Sequence, residues 1–410
     1  MAKIHAPIAI NGNVPKTKDS DDVNLRYELR HLLRVMAVFG LYFTPKSWQA
    51  SNHKMRYKSF LYPAHRLYCL FVLILLLLNG IKSFVGIWYI DDNFIAIQII
   101  LCGYWLQCSV NCCIWVYICY TDQLPNIFRF WQQYCQSSPE SKMYHTALSV
   151  TCVRRRIRII TYTSVAFSVF SSFLPIAARF GPFESFRNDT NFMIAPVVDP
   201  IIVTNLELVI AANYSNAAFA LPTSFLLIIC TILSCQFKKF TDYFAKCMQG
   251  ENRFKQCLIK LRLQHQYLSK AVFLVDEAFC FYLAVTFGSS ILLACFQMYQ
   301  LVVVKSFSSV ITTLMTIFWF CMVSIQFSLV GVLTAQVHEK AHSIANHIHD
   351  ICVFGFTTHE EVTQMNMFMA KLNGSPIAFT LWNILPLTKE FLLTVVGVYI
   401  TYFALVAQSF

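Results

Sequence analysis

The chain has 410 residues, of which 57% are hydrophobic, 15% aromatic and only 13% charged. Soluble domains carry roughly 25% charged residues, so this composition excludes an ordinary water-soluble domain and implies a large surface facing lipid. The formal charge is +11, from 32 Lys+Arg against 21 Asp+Glu, but the basic residues sit in short segments between apolar runs, which is membrane topology and not a nucleic-acid footprint.

No secretory signal is expected. The first apolar run begins near Ala64, after a polar stretch with Lys16, Lys18, Asp19, Asp21 and Asp22, so the first membrane helix serves as its own insertion signal. Within that stretch Leu32–Phe43 is apolar but too short to span, since a membrane helix needs about 20 residues. It is predicted to be an interfacial or re-entrant helix with Arg30 and Arg34 on its polar side. Seven spans follow in order: Leu67–Tyr89, Phe94–Tyr120, Ile159–Ala178, Leu206–Cys235, Ala271–Tyr299, Ser306–Ala335 and Phe391–Ala407. The third is rich in Thr and Ser and is the least apolar. The expected fold class is an all-α integral membrane protein with seven transmembrane helices. The sixteen Cys residues lie mostly within or beside apolar runs and are read as small buried hydrophobes, with no disulfide expected outside the cell.

Orientation follows from the basic loops. The segment before span one and the loops after spans two and four are rich in Lys and Arg, for example Arg154, Arg155, Arg156 and Arg158 after span two. The loops after spans one, three and five are poor in them. The positive-inside rule then places the N-terminus in the cytosol and the C-terminus outside. Asn188-Asp189-Thr190 is a glycosylation sequon in an outer loop and is expected to carry glycan, whereas Asn373-Gly374-Ser375 falls on the cytosolic side and should be silent. A G-protein-coupled receptor would have the reverse orientation. The chain also lacks an Asp-Arg-Tyr triplet after a third span, an Asn-Pro-x-x-Tyr segment in the last, and a C-terminal tail.

His338-Glu339-Lys340-Ala341-His342 matches the zinc-protease pattern, in which two His one helical turn apart bind metal and a Glu acts as base. An intramembrane protease is therefore one alternative. No third ligand stands at a recognisable spacing, and His347 and His349 continue the run as they would on a solvated helix. No metal and no cofactor are expected.

The last span carries Thr394, Gly397, Thr401, Ala404 and Gln408 on one stripe, in a helix otherwise made of Leu, Val, Ile, Tyr and Phe. Polar groups in a span avoid lipid, so the stripe faces either a water-filled path or a close helix–helix contact. Lys389 and Glu390 sit at its inner start, as a helix-end pair or as a ring of Glu390 at a pore. The chain ends Thr401-Tyr402-Phe403-Ala404-Leu405-Val406-Ala407-Gln408-Ser409-Phe410. This resembles the C-terminal signature of the insect gustatory receptors: Thr-Tyr, five hydrophobic residues, Gln, then usually Phe. Ser409 departs from the pattern. Length, span number and orientation are similar to that family as well.

The resemblance implies a tastant-gated, non-selective cation channel in the plasma membrane of a sensory neuron, a homo- or hetero-tetramer with family members, whose central pore is lined by the last helix. Carried onto this chain, Thr394, Thr401, Leu405, Gln408 and Ser409 line the pore. Residues 1–66 become a cytosolic segment, 67–335 the first six spans with cytosolic extensions, 336–390 cytosolic anchor helices and 391–410 the pore helix. The tastant, a small molecule, sits in the outer half of each subunit's bundle. Polar and aromatic candidates there are Gln98, Tyr104, Ser171, Ser172, Glu207, Asn213, Tyr214, Gln297, Tyr299 and Ser308. The modest supply of outer-half carboxylates favours a non-sugar ligand. An odorant receptor of the same superfamily is the nearest alternative.

Overall fold

The computed structural model describes residues 25–43, 61–89, 95–137, 147–180, 201–248, 251–303, 310–353, 359–374 and 376–408. Its elements are α1 Leu25–Glu28, α2 Arg30–Val38, α3 Leu61–Gly86, α4 Ile95–Tyr120, α5 Gln123–Ser137, α6 Ala147–Phe180, α7 Ile201–Met248, α8 Glu251–Val303, α9 Val310–His342, α10 Ile344–Val353, α11 His359–Asn373, a hairpin of β1 Thr380–Leu381 and β2 Leu385–Pro386, and α12 Lys389–Gln408. Among the described residues the regular structure is helical apart from that two-stranded hairpin. Among the described residues six helices, α3, α4, α7, α8, α9 and α12, are long and apolar enough to cross a membrane. The third expected span lies in α6, which is long but less apolar. Its hydroxyls turn back on its own backbone: Thr161, Thr163, Ser164 and Ser168 each donate to the carbonyl four residues earlier. That satisfies them without water.

α7 and α8 hold 48 and 53 residues. At 1.5 Å per residue they are about 70 and 80 Å long, far beyond a hydrocarbon core of about 30 Å. Their basic ends, with Lys238, Lys239, Arg253 and Lys255, therefore project past the membrane. There the end of α9, α10 and α11 pack on them around His265, whose Nε2 lies 3.1 Å from the Ala341 carbonyl and whose ring meets Phe237, Phe240 and Phe368.

α7 runs through the centre of the bundle and is apolar on all sides, as a helix surrounded by others must be. It contains Pro222, which has no N–H to offer the carbonyl of Ala218. Asn111 of α4 supplies the missing donor, its Nδ2 lying 3.4 Å from that oxygen. One level further, Trp115, Phe225, Phe279 and Tyr282 form a buried aromatic stack between α4, α7 and α8.

The short Leu32–Phe43 segment packs inwards. Leu32, Leu33, Met36, Leu41, Tyr42 and Phe43 are all buried. Tyr68 donates to the Val38 carbonyl, and Gly40 turns the chain at φ +67°, with space so tight that a Cβ would sit 2.6 Å from Val72 Cγ2. Glycine is needed there on both counts.

Candidate ligand site and the last helix

Nearer the other end of the bundle's interior, three helices build an aromatic cage around Tyr104. Tyr104 of α4 packs its ring on Trp105, on Phe219 of α7 and on Trp319 of α9. Its hydroxyl donates to Asn216 Oδ1 at 2.6 Å. Below the cage lies a polar step. Gln326 Nε2 donates to Thr223 Oγ1 at 2.7 Å, and Thr223 shares a 2.8 Å hydrogen bond with the Tyr282 hydroxyl. Several buried polar atoms in the same helices have no protein partner: both side-chain ends of Gln107, Gln326 Oε1 and Thr286 Oγ1. Buried polar groups ordinarily find a partner, so unpaired ones in an aromatic-walled interior mark a place for water or for a ligand's polar groups.

The sequence-derived candidates separate around this cage. Tyr104 is its centre. Gln98 is buried and tied to the Ser83 carbonyl through Nε2, at 2.6 Å. Ser171 and Gln297 are buried, each with an unpartnered oxygen. Asn213 Nδ2 donates to the Val209 carbonyl of its own helix. Tyr214 pairs with Tyr68 at 2.9 Å and meets Phe39 edge to face, so it clamps the N-terminal segment and stands apart from the cage. Tyr299 is exposed. The side chains of Ser172 and Glu207, and all of Ser308, Asn188 and Ser409, lie outside the described residues. Asn216, Phe219, Trp319, Thr223, Tyr282 and Gln326 were not singled out in the sequence. In a chain with 37 Phe and 19 Tyr, aromatic identity alone selects nothing.

The zinc-like motif is occupied otherwise. Glu339 Oε2 pairs with Lys389 Nζ at 2.8 Å, His338 Nδ1 faces the Ile377 carbonyl and His342 Nδ1 the His338 carbonyl. The motif thus ties the end of α9 to the base of α12. A second tie comes from α8: Asp276 accepts from the Thr380 N–H and hydroxyl, both at 2.7 Å. This pins the hairpin that leads into α12. The hairpin turn uses positive φ at Trp382 and Asn383, the pattern of a tight type I′ turn.

α12 has two opposite faces. Tyr399 and Tyr402 donate to the Ser290 and Cys295 carbonyls of α8. Leu392, Val395 and Val406 share that side and are half-buried. Gly331 of α9 lets Leu392 approach so closely that a Cβ would lie 2.6 Å from its Cδ2. At about 100° per residue, Glu390, Thr394, Gly397, Thr401, Ala404 and Gln408 fall on the antipodal side, and all are exposed. Leu405, also exposed, flanks that stripe. None of the described residues of α12 is fully buried, and the hydroxyls on its outward stripe, Thr394 and Thr401, donate to the Glu390 and Gly397 carbonyls of their own helix.

These features define the class: a multi-span helical membrane protein with an interior aromatic site and a peripheral last helix. Comparison with known proteins narrows it. The chain belongs to the trehalose receptor family, a family of insect gustatory receptors, whose model matches residues 12–409. Its fold is similar to that of the insect olfactory receptor OR5 from Machilis hrabei, with a TM-score of 0.63 and 15% identity over 95% of this chain and 100% of that one. The structure of the same receptor in complex with eugenol matches with a TM-score of 0.62 and 16% identity over the same shares. A comparison with curated protein sequences finds no match.

Proposed function

We propose that this chain is a gustatory chemoreceptor: a tastant-gated, non-selective cation channel in the plasma membrane of a sensory neuron. The observation that carries the reading is the two-faced last helix. Its tyrosines hold the bundle while Thr394, Thr401 and Gln408, with Leu405 beside them, face away. Four copies, as a homo- or hetero-tetramer, would bring those stripes together around an axis, with Ser409 continuing the line. α6 serves as the third of seven spans, and the basic loops support a cytosolic N-terminus and an extracellular C-terminus. Residues 1–66 are then cytosolic, 67–335 hold the first six spans, 336–390 belong to the cytosolic anchor and 391–410 form the pore helix.

The tastant binds in the Tyr104 cage. Aromatic walls with one hydrogen-bonded pair suit a compact, mainly apolar ligand with one or two polar groups, a non-sugar tastant. A sugar is the second reading. The family's description as trehalose receptors favours it, and so do the unpartnered Gln107, Gln326 and Thr286 atoms below the cage, which could meet several hydroxyls. The eugenol complex of the Machilis hrabei receptor keeps an odorant ligand in view for this fold. The test is whole-cell current against a panel holding trehalose, bitter aromatics and volatile phenols, in cells with G-protein signalling blocked. Evoked current that survives the block is expected. Loss of all response under the block would overturn the channel reading.

A further inference from the structure

The basic residues near the start of α6 divide into two groups. Arg154 is held by Glu28 of α1, with Nε 2.7 Å from Oε1. Other cations flanking the spans are likewise engaged by the protein: Arg66 lies over the Phe43 ring and Lys270 over the Phe130 ring. Arg155 and Arg158 are exposed, and among the described residues neither pairs with a carboxylate. Arg156 turns towards α7, its Nη1 4.0 Å from Cys235 Sγ. Lys238 and Lys239 stand one turn beyond Cys235 on the same side of α7. The two helices run antiparallel, since Ser164 meets Ser224 and Arg156 meets Cys235. Five cations therefore gather at one end of the α6–α7 pair. Asp242 is the one carboxylate on residues 147–158 and 235–248.

The rest of α6 sets what these cations face. Helical spacing puts Arg155, Arg158, Tyr162, Ala166, Val169 and Phe173 on one stripe, and all six are exposed. The stripe is charged for its first turn and apolar beyond it. A span turns such an apolar stripe to hydrocarbon, so the change after Arg158 falls at the headgroup layer. Arginine forks match phosphate oxygens two at a time. A headgroup with a single net charge would leave most of the five cations unanswered. A headgroup carrying several phosphates would not, and clusters of four to eight basic residues beside a span suit it.

We propose that this end of α6 and α7 binds an inositol phospholipid bearing phosphomonoesters. Its phosphates sit on Arg155, Arg158 and Lys238, and its acyl chain runs along Tyr162, Ala166 and Val169. The site shares no residue with the Tyr104 cage or with α12. The lipid as occupant rests on α6 being a span with its basic end in the cytosol, as proposed above.

The experiment uses the full chain in micelles of a neutral detergent, with a fluorescent phosphatidylinositol bisphosphate as probe. The unlabelled lipid should displace the probe about tenfold better than phosphatidylserine, and phosphatidylcholine should not displace it. Each cation beside an anionic headgroup is worth about fivefold in affinity, so Arg155→Gln with Arg158→Gln should weaken binding about 25-fold. Arg129→Gln with Lys260→Gln removes the same charge from other exposed positions and should change it by less than about twofold. Unchanged binding in the first pair, or equal losses in both pairs, would overturn the site. Displacement by soluble inositol trisphosphate as effective as by the lipid would assign the cations to a soluble anion and also overturn it. The place of α6 is read separately in liposomes, where Val169→Cys should resist a membrane-impermeant maleimide. Failure of lipid binding with Val169→Cys protected overturns the lipid site alone. Failure with Val169→Cys labelled above the wild-type background overturns α6 as the third span as well.

Discussion

At the scale of single residues, Tyr104 carries two separable contributions, a ring that fills the cage and a hydroxyl that fixes Asn216. Tyr104→Phe removes only the hydrogen bond. In membrane bundles such bonds average about 0.6 kcal/mol, with a maximum near 1.7, so folding should suffer little. Ligand potency should fall by less than about tenfold, since a neutral hydrogen bond is worth about 0.5–1.5 kcal/mol. Trp319→Ala deletes a half-buried wall of the cage, and the apolar contact of a large side chain is worth about 1.5–3 kcal/mol. Its half-maximal concentration should rise by well over tenfold. Concentration–response curves at matched surface expression check both, and equal potency in Trp319→Ala would remove the cage from ligand binding. Tyr104 entered the sequence-derived candidates on the same ground as Tyr214 and Tyr299, a polar aromatic in or beside a span, and nothing in the sequence ranked it above them. Its partner Asn216 lies 112 positions away, and only the crossing of α4 with α7 brings the two together. Trp319 was invisible for another reason: tryptophan in an apolar run reads equally well as a lipid-facing or a packing residue.

At the scale of elements, α4 and α7 are joined by an exchange that sequence reading passes over. Pro222 frees the Ala218 carbonyl and Asn111 bonds it. Asn111→Leu should leave that carbonyl unsatisfied in the bundle core, at about 1–3 kcal/mol. Pro222→Ala restores the helix's own donor, so in the double variant the loss should be largely recovered. Thermal unfolding of purified protein in detergent reads the cycle, and strictly additive losses would refute the pairing. The tie between α9 and α12 predicts the opposite kind of result. Glu339 and Lys389 are both well exposed to solvent, and exposed pairs contribute about 0–1 kcal/mol. Glu339→Gln should therefore keep tastant-evoked current, with a change in potency below about fivefold. Complete loss of current would give Glu339 a role beyond this contact. The spans themselves were legible because lipid demands long apolar runs. Six of the seven expected spans fall on helices long and apolar enough to cross a membrane, and the third, Ile159–Ala178, falls within α6, whose hydroxyls are satisfied by its own carbonyls, a compensation that hydropathy does not register. The packing around His265 was legible only as a basic loop between spans: residues 236–270 look like a connection, yet 236–248 continue α7 and 251–270 open α8.

At the scale of the whole molecule, the proposed tetramer would bring the outward stripes of four last helices together around one axis. In a closed ring of four, each substitution on the stripe acts four times. Gln408 stands on the stripe near the end of α12, and Val406 stands on the side that packs on the bundle. Gln408→Glu should create a carboxylate ring, which concentrates cations in a narrow passage, moves the reversal potential towards stronger cation preference and strengthens divalent block. Val406→Thr keeps side-chain volume and lets the hydroxyl bond its own helix, so permeation should stay as in the wild type. The measurement is reversal potential under asymmetric salt and block by external divalent cations, with surface expression confirmed in each variant. Wild-type permeation in Gln408→Glu together with altered selectivity in Val406→Thr would mean that the helix presents its other face to the pore. Wild-type permeation in both, in a tastant-responsive protein, would take α12 off the conduction path and leave its polar stripe as a packing surface.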